Sequence, residues 1–192
     1  LIQYIASTGK PIIMSTGMGS ELEIQEAIDT AYRAGCKELA LLHCISSYPA
    51  PIDQADLRKI PVLAERFQVP IGLSDHTLGI TATISAISQG ACIIEKHFTI
   101  SRQYPGPDST FSIEPQELTD LVQSAEDAWL SLGSPRLDQS PEAEASSKRF
   151  RRSIYFVQDL PAGATVGPED IRRIRPGMGL PPKMFDSLIG RR

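Results

Sequence analysis

Along residues 1–133, short apolar runs alternate with longer amphipathic ones. The runs at Pro11–Ser15, Glu38–His43, Pro70–Ser74 and Ala91–His97 are nearly all apolar, the pattern of parallel strands covered on both faces. Helix signals fill the gaps. Ser20 followed by Glu23 is a capping box, Leu22, Ala27, Ala31 and Ala34 supply an apolar side, and Gly35 is a natural stop. Further helices are predicted over Asp56–Phe67, over Thr81–Gln89 with Gly90 ending it, and over Glu114–Leu132 with Pro115 in its first turn and Gly133 at its end.

Four strand–helix units in succession predict either a doubly wound sheet or half of a (β/α)8 barrel. No GxGxxG follows a strand, which removes the best sign of a dinucleotide fold. Polar clusters stand at the strand ends: Ser15-Thr16-Gly17, His43 to Tyr48, Ser74 to Thr77 and Glu95 to Thr99. A barrel makes such ends converge on one pocket. The expected fold is therefore α/β, the C-terminal half of a TIM barrel over residues 1–133.

The stretch "SPRLDQSPEAEASSKRF" (134–150) is rich in Ser, Pro and charge and reads as a linker. Residues 151–192 hold a strand at Ser153 to Val157 and short segments broken by Gly and Pro, the pattern of a small β-rich module. The chain opens without Met on what reads as a helix end and a strand already in progress, so a piece of a longer chain is expected.

Composition narrows the function. The 192 residues are 41% hydrophobic with a net charge of -4, as in an ordinary soluble globular protein. The stretch from Lys148 to Arg192 is locally basic, but its arginines are scattered and not interleaved with aromatics, so no nucleic-acid partner is expected. No apolar run approaches the ~20 residues that span a bilayer, and the start lacks the order of a signal peptide. Cys36, Cys44 and Cys92 are odd in number and lack CxxC spacing, which fits reduced thiols and a cytoplasmic location.

The candidate chemistry lies where strands stop. Ser74 and His76 are two apart and point to one side of the sheet, as do Glu95, His97 and Thr99, while Lys96 and Phe98 face the surrounding helices. Two neutral imidazoles at matching ends of consecutive strands suit a divalent ion of intermediate softness, although a hydrogen-bonded strand cap explains either His alone. No third protein ligand is evident. "STGM" (15–18) can hold a phosphate oxygen or be a plain turn. "CISSYPAP" (44–51) offers Ser46, Ser47 and Tyr48, with Cys44 read as a packed apolar residue. In "YPGPDSTFSIEP" (104–115), Asp108 is either a reaching group or a turn-capping residue. Arg175 precedes a Pro-Gly turn and is either a site donor or a surface residue.

Taken together, "KPIIMSTGM", "LLHCISSYPAP", "GLSDHT", "IEKHFT", "GPDSTFSIEP", "RRSIYF" and "RIRPGMGL" resemble the sialic acid synthase family over almost the whole chain. These are phosphoenolpyruvate-condensing enzymes with a (β/α)8 barrel and a C-terminal antifreeze-like (SAF) domain. The resemblance implies that His76 and His97 bind a divalent metal ion (Mn2+, Mg2+ or Co2+). It implies that Ser15, Ser46 and Ser74 lie near the phosphate of phosphoenolpyruvate and that Tyr48 and Asp108 contact the sugar. Asp108, Tyr48 and Glu95 are the residues expected to carry catalysis. Arg175 matches an SAF arginine that reaches the partner subunit's sugar site, which implies a homodimer with exchanged SAF domains. The implied reaction joins C3 of phosphoenolpyruvate to the aldehyde carbon of an open-chain acetamido sugar. The metal would act on the aldehyde oxygen and orient the water that attacks C2, and phosphate leaves by C–O cleavage.

Within the family "GPDSTFS" resembles the pseudaminic acid synthases, with Ser109 where neuraminate synthases usually have His and Ser46 where they tend to have Asn. The alternatives are an N-acetylneuraminate or legionaminate synthase, or a non-catalytic barrel and SAF scaffold. The resemblance also implies that four barrel strands precede Leu1, that the SAF domain continues past Arg192, and that this piece alone is inactive.

Overall fold

Parallel pairing in chain order organises the larger part of the molecule. The computed structural model describes residues 1–137 and 142–192. They fall into two units, Leu1–Gly133 and Ser134–Arg192. The first runs α1 (Ile2–Ala6), β1 (Ile12–Ser15), α2 (Glu21–Arg33), β2 (Leu39–Cys44), α3 (Lys59–Phe67), β3 (Ile71–Asp75), α4 (Thr81–Ser88), β4 (Ile94–Lys96) and α5 (Pro115–Ser131). Its sheet has the order β1-β2-β3-β4 with every neighbour parallel. A doubly wound sheet reverses direction at a switch point. This one never does, and it curls as half a barrel.

Strand parity sorts the side chains. Ile12, Met14, Leu39, Leu41, Ile71, Leu73 and Ile94 all face the helices, where they pack with Ile28, Ala31, Ile60 and Ala86. Fully burying one such aliphatic side chain is worth about 1.5–3 kcal/mol, so this layer holds the unit together. The residues between them face the inner side of the curl. There Leu42, Cys44 and Ser74 of the middle strands are buried, while Ile13, Ser15 and Glu95 of the outer strands are exposed.

The helix ends follow local chemistry. At α2, Ser20 Oγ accepts from the Glu23 amide at 3.3 Å and Glu23 Oε2 accepts from the Ser20 amide at 2.8 Å. Its buried stripe is Ile24, Ile28 and Ala31, and Leu22 is 67% exposed rather than inward. Leu22 precedes Ile24 by two residues, about 200° around the helix, so the two cannot share a face. The second helix begins at Lys59 and not at Asp56, because Asp56 adopts φ 50, outside the helical region. A reciprocal Glu114–Glu117 box caps α5. Helix α5 packs on α4. Its Trp129 lines a shallow apolar cleft with Ile87, Ala91, Ile94 and Ala125. The fourth strand is shorter than its apolar run, because only Ile94–Lys96 keep ladder register with β3.

In the second unit β5 (Ser153–Phe156) and β6 (Ile171–Ile174) pair antiparallel, with Ile154 and Ile171 buried and Leu180 bridged to Ile154. Asp170 is buried and accepts from the Gly167 amide at 2.6 Å. The four-residue α6 (Phe185–Leu188) lies under the Arg173 guanidinium, 3.8 Å from the Phe185 ring centre. Of the stretch read as a linker, 138–141 lie outside the described residues. Residues 142–150 form two 3-10 turns, Glu142–Glu144 and Ser146–Phe150, and the Gly177 amide donates to the Arg149 carbonyl at 2.9 Å. Among the described residues no helix is long and apolar enough to cross a membrane.

One position tests the closeness of β3 to its neighbours. A Cβ at Gly72 would lie 2.4 Å from the Ile93 carbonyl oxygen and 2.8 Å from Ile93 Cβ. Neither neighbour is the end of a flexible chain. Gly72→Ala is expected to lower unfolding free energy by about 1–3 kcal/mol in urea titration; an unchanged midpoint would show that β3 has room to shift.

Candidate active site

The last ladder pair of β3 and β4 is Asp75 with Lys96, and His76 and His97 are the first residues beyond it. Two returning loops hold them there. The Ala50 amide donates to the His76 carbonyl at 2.9 Å, and the Ile113 amide donates to the His97 carbonyl at 2.9 Å. The imidazoles come together with ring centres 5.2 Å apart. Tyr48 lies against them, its ring centre 4.2 Å from that of His76 and 5.7 Å from that of His97. Phe111 closes the group at 5.0 Å from His97 and 5.8 Å from Tyr48.

The ring nitrogens are sorted by their partners. His76 Nδ1 is 2.9 Å from the Ile45 carbonyl, which can only accept, so Nδ1 carries the proton and Nε2 is the free lone pair. Cys44 Sγ lies 3.7 Å from the same nitrogen. His97 Nδ1 faces Asp108 Oδ2 at 3.5 Å, which directs its Nε2 away from the loop carboxylate. An imidazole whose Nδ1–H is held by a carbonyl or carboxylate has the orientation of a metal-ligating histidine, so Nε2 is the nitrogen by which this pair would hold a divalent ion. Among the described residues no group of three or more His, Cys, Asp or Glu comes together to hold an ion. The pair would fill at most two coordination positions of such an ion, and solvent or substrate oxygen would have to fill the rest.

The remaining candidates take varied places. Ser74 Oγ donates to Glu95 Oε1 at 2.6 Å, two residues before the histidines and on their face. Ser46 lies 3.7 Å from Cys44 Sγ. A Cβ on Gly17 would come within 2.2 Å of Ser46 Oγ, so the β1 and β2 ends approach closely there. Ser15 ends β1, two strands from β3, and stays exposed. Arg175 belongs to the second unit, directly after β6. Arg102, the arginine nearest the loop, is spoken for: its amide donates to Glu114 at 2.8 Å, its Nε to the Ser112 carbonyl at 2.9 Å, and it pairs with Glu117. It braces the loop that carries Asp108 rather than offering a fork to a ligand.

Three features escaped sequence reasoning. Phe111 looked like any loop aromatic, and nothing in spacing marked it as a wall of the histidine pair. Asp75 and Lys96 form a buried ion pair at 2.9 Å; the parity of Lys96 was legible but its partner depends on register. His43 is buried and its Nε2–H donates to the Ala55 carbonyl at 2.8 Å, tying β2 to the loop that carries Ser46 and Tyr48. An apolar run ending in His was its only signal.

The NeuB family model matches residues 1–136, and the SAF domain model matches 151–192. The chain belongs to the NeuB family. It is 42% identical, over 100% of its own length and 55% of the relative's, to N,N'-diacetyllegionaminic acid synthase of Legionella pneumophila. It is 35% identical to pseudaminic acid synthase of Helicobacter pylori, over 100% of this chain and 56% of that one. Among solved structures it resembles an N-acetylneuraminic acid (sialic acid) synthetase from Leptospira borgpetersenii crystallised with citrate. That likeness has a TM-score of 0.71 at 36% identity and covers 76% of this chain and 50% of that one. The chain thus spans about 55% of the length of these curated relatives, and the motifs that resemble the sialic acid synthase family do belong to it.

Burial holds the His43 imidazole below its ordinary value of 6.5; the Ala55 carbonyl opposes that shift and Lys59 adds to it. The unfolded chain therefore takes up a proton at His43 more readily than the native protein. Stability from this residue is fully present above about pH 6.5 and is lost as pH falls below it toward the native value. In His43→Gln the titration is gone. The urea midpoint is expected to drop more between pH 7.5 and 5.5 in the parent than in His43→Gln; equal drops would assign the acid sensitivity elsewhere.

Proposed function

We propose that the intact protein is a nonulosonate synthase. It condenses phosphoenolpyruvate with an open-chain 2,4-diacetamido-trideoxy hexose to give a nine-carbon acid and phosphate. The observation that supports this most directly is the His76–His97 pair, with His76 Nδ1 bonded to the Ile45 carbonyl and His97 Nδ1 facing Asp108 at 3.5 Å, at the strand ends of a NeuB-family sheet. These two residues would hold a divalent ion, Mn2+, Mg2+ or Co2+. When bound, such an ion supplies Lewis acidity toward a carbonyl oxygen.

The chain's own residues would do the rest. Tyr48 and Asp108 flank the histidines and would position the sugar, with the exposed Tyr48 ring offering an apolar face and a phenol. Ser15, Ser46 and Ser74 would contribute hydroxyls toward the phosphate. Glu95 accepts a hydrogen bond from the Ser74 hydroxyl on one oxygen and would keep the other for a proton of the substrate. In the overall step C3 of phosphoenolpyruvate bonds to the aldehyde carbon, whose oxygen gains a proton. Water oxygen ends on C2 as the keto group, and phosphate departs with the bridging oxygen.

The small Ser109 and Thr110 in the Asp108 loop favour the pseudaminate precursor as the sugar. The 42% identity to a legionaminic acid synthase favours the legionaminate precursor. Both are diacetamido sugars. Phosphate release by the intact protein is expected with one of these and not with the neuraminate precursor. Chelation should abolish release and Mn2+ restore it. His76→Ala and His97→Ala are each expected to lower it by at least ~100-fold. Release that survives chelation and both variants would sink the metal-site assignment.

Arg175 would reach the sugar site of a partner subunit in a homodimer. Alone, Arg175→Ala should weaken sugar use far more than phosphoenolpyruvate binding. Mixed with His76→Ala protein and given time to exchange subunits, it should recover activity, because one barrel then has its own His76 and receives an intact Arg175. No recovery despite confirmed exchange would confine Arg175 to its own subunit.

A further inference from the structure

A buried charge cluster stands directly behind the histidines, and none of the chemistry above uses it. Lys96 Nζ donates to Asp75 Oδ2 at 2.9 Å and to the Thr77 carbonyl at 2.7 Å. The Lys96 and Asp75 side chains are 4% and 1% exposed. Asp75 Oδ1 accepts from the Thr77 amide at 2.8 Å, and Oδ2 also accepts the hydroxyl of Thr83, a fully buried residue of α4, at 2.8 Å. Desolvating two such charges cancels much of their attraction, so a pair of this kind contributes more to fixed geometry than to net stability.

Its position says which geometry. Asp75 and Thr77 bracket His76, and Lys96 immediately precedes His97. Side chains alternate along an extended backbone, so the cluster sits on the helix side while the two imidazoles face the inner side. The backbone ladder between β3 and β4 ends at Asp75 and Lys96. Beyond that rung no ladder bond sets where residue 76 lies relative to 97. Lys96 supplies the missing connection: from β4 it grips Asp75 before His76 and the carbonyl of Thr77 after it. Thr83 then fixes the Asp75 carboxylate to α4, so the clamp is referenced to the helix layer and not only to the loops.

We propose that Asp75, Lys96 and Thr83 are positioning residues that hold His76 and His97 at their separation, with His76 Nδ1–H on the Ile45 carbonyl and His97 Nδ1 facing Asp108. The proposal deepens the metal-site reading above and rests on it for one of two readouts. The first readout needs no metal: long-range 1H–15N spectra of the histidine side chains in the intact, metal-free protein. The second is Mn2+ affinity, followed by the resonance of free Mn2+.

Three variants probe the cluster. Thr83→Val removes one donor at constant shape, Thr83→Ser restores it, and Asp75→Asn with Lys96→Met removes both charges together so that neither is left unpaired. Leu41→Ala, in the core away from the cluster, serves as a control for destabilisation measured in urea. In the parent both imidazoles should show the Nδ1-protonated tautomer. Thr83→Val and the double variant should mix the tautomers and weaken Mn2+ binding by about 10-fold. Thr83→Ser and Leu41→Ala should keep both properties. Parent-like tautomers and affinity in Thr83→Val would overturn the proposal, as would equal changes in Leu41→Ala. If the parent itself binds no Mn2+, the metal-site reading fails. The imidazole spectra then decide alone, mixed tautomers in Thr83→Val supporting the clamp and unchanged ones overturning it.

Discussion

The backbone ladder stops one residue short of each histidine, and the arrangement of the larger unit answers to that limit. Parallel strands hold one another rigidly only as far as their hydrogen bonds run. The groups that can meet a ligand must lie past that point, where chains diverge. Four devices take over there: the Ala50 and Ile113 amides on the histidine carbonyls, His43 on the Ala55 carbonyl, Arg102 on the start of α5, and the Asp75–Lys96 pair. Each joins a strand end or a loop to something already fixed. The inner loops therefore gain order from side chains, while the sheet itself gets it from backbone and apolar packing.

The two kinds of order differ in how far a sequence exposes them. Apolar runs located all four strands, and their chain-order sequence with no dinucleotide fingerprint pointed to a barrel. Ser20 with Glu23 and Pro115 after Glu114 marked helix starts because those signals are local. Period two was enough to place Ser74 with His76 and Glu95 with His97, and Ser74 does bond to Glu95. Local signals failed where a neighbour decides. Leu22 counts as apolar in any tally, yet the buried stripe passes through Ile24 and Ile28. Asp56 suits a helix start by composition, but its backbone turns left-handed.

What stayed hidden shares one cause. Lys96 meets Asp75 because β4 sits in a particular register against β3, and a slip of one residue would send either side chain to the other face. Phe111 reaches His97 because residues 97–99 and 113 come together in a parallel bridge, closing the Asp108 loop over the pair. These contacts join positions 14 to 21 apart through the fold, and no spacing rule names them in advance. The candidate ligands were visible as residue types on one face; the apparatus that aims them was not.

The cleft on α5 carries a practical consequence for spectroscopy. The chain has a single tryptophan, Trp129, fourteen positions after Pro115, where the Asp108 loop enters the helix. At about 1.5 Å of rise per residue, the indole stands ~21 Å along the axis from that entry. Its emission therefore reports whether α5 is seated on α4 and is blind to what happens around the histidines. Tyr48, lying on both imidazoles, is the chromophore placed to sense the other end. With the other four tyrosines changed to Phe, an unfolding curve followed by tryptophan emission and a titration followed by tyrosine emission would interrogate separate regions of the same unit.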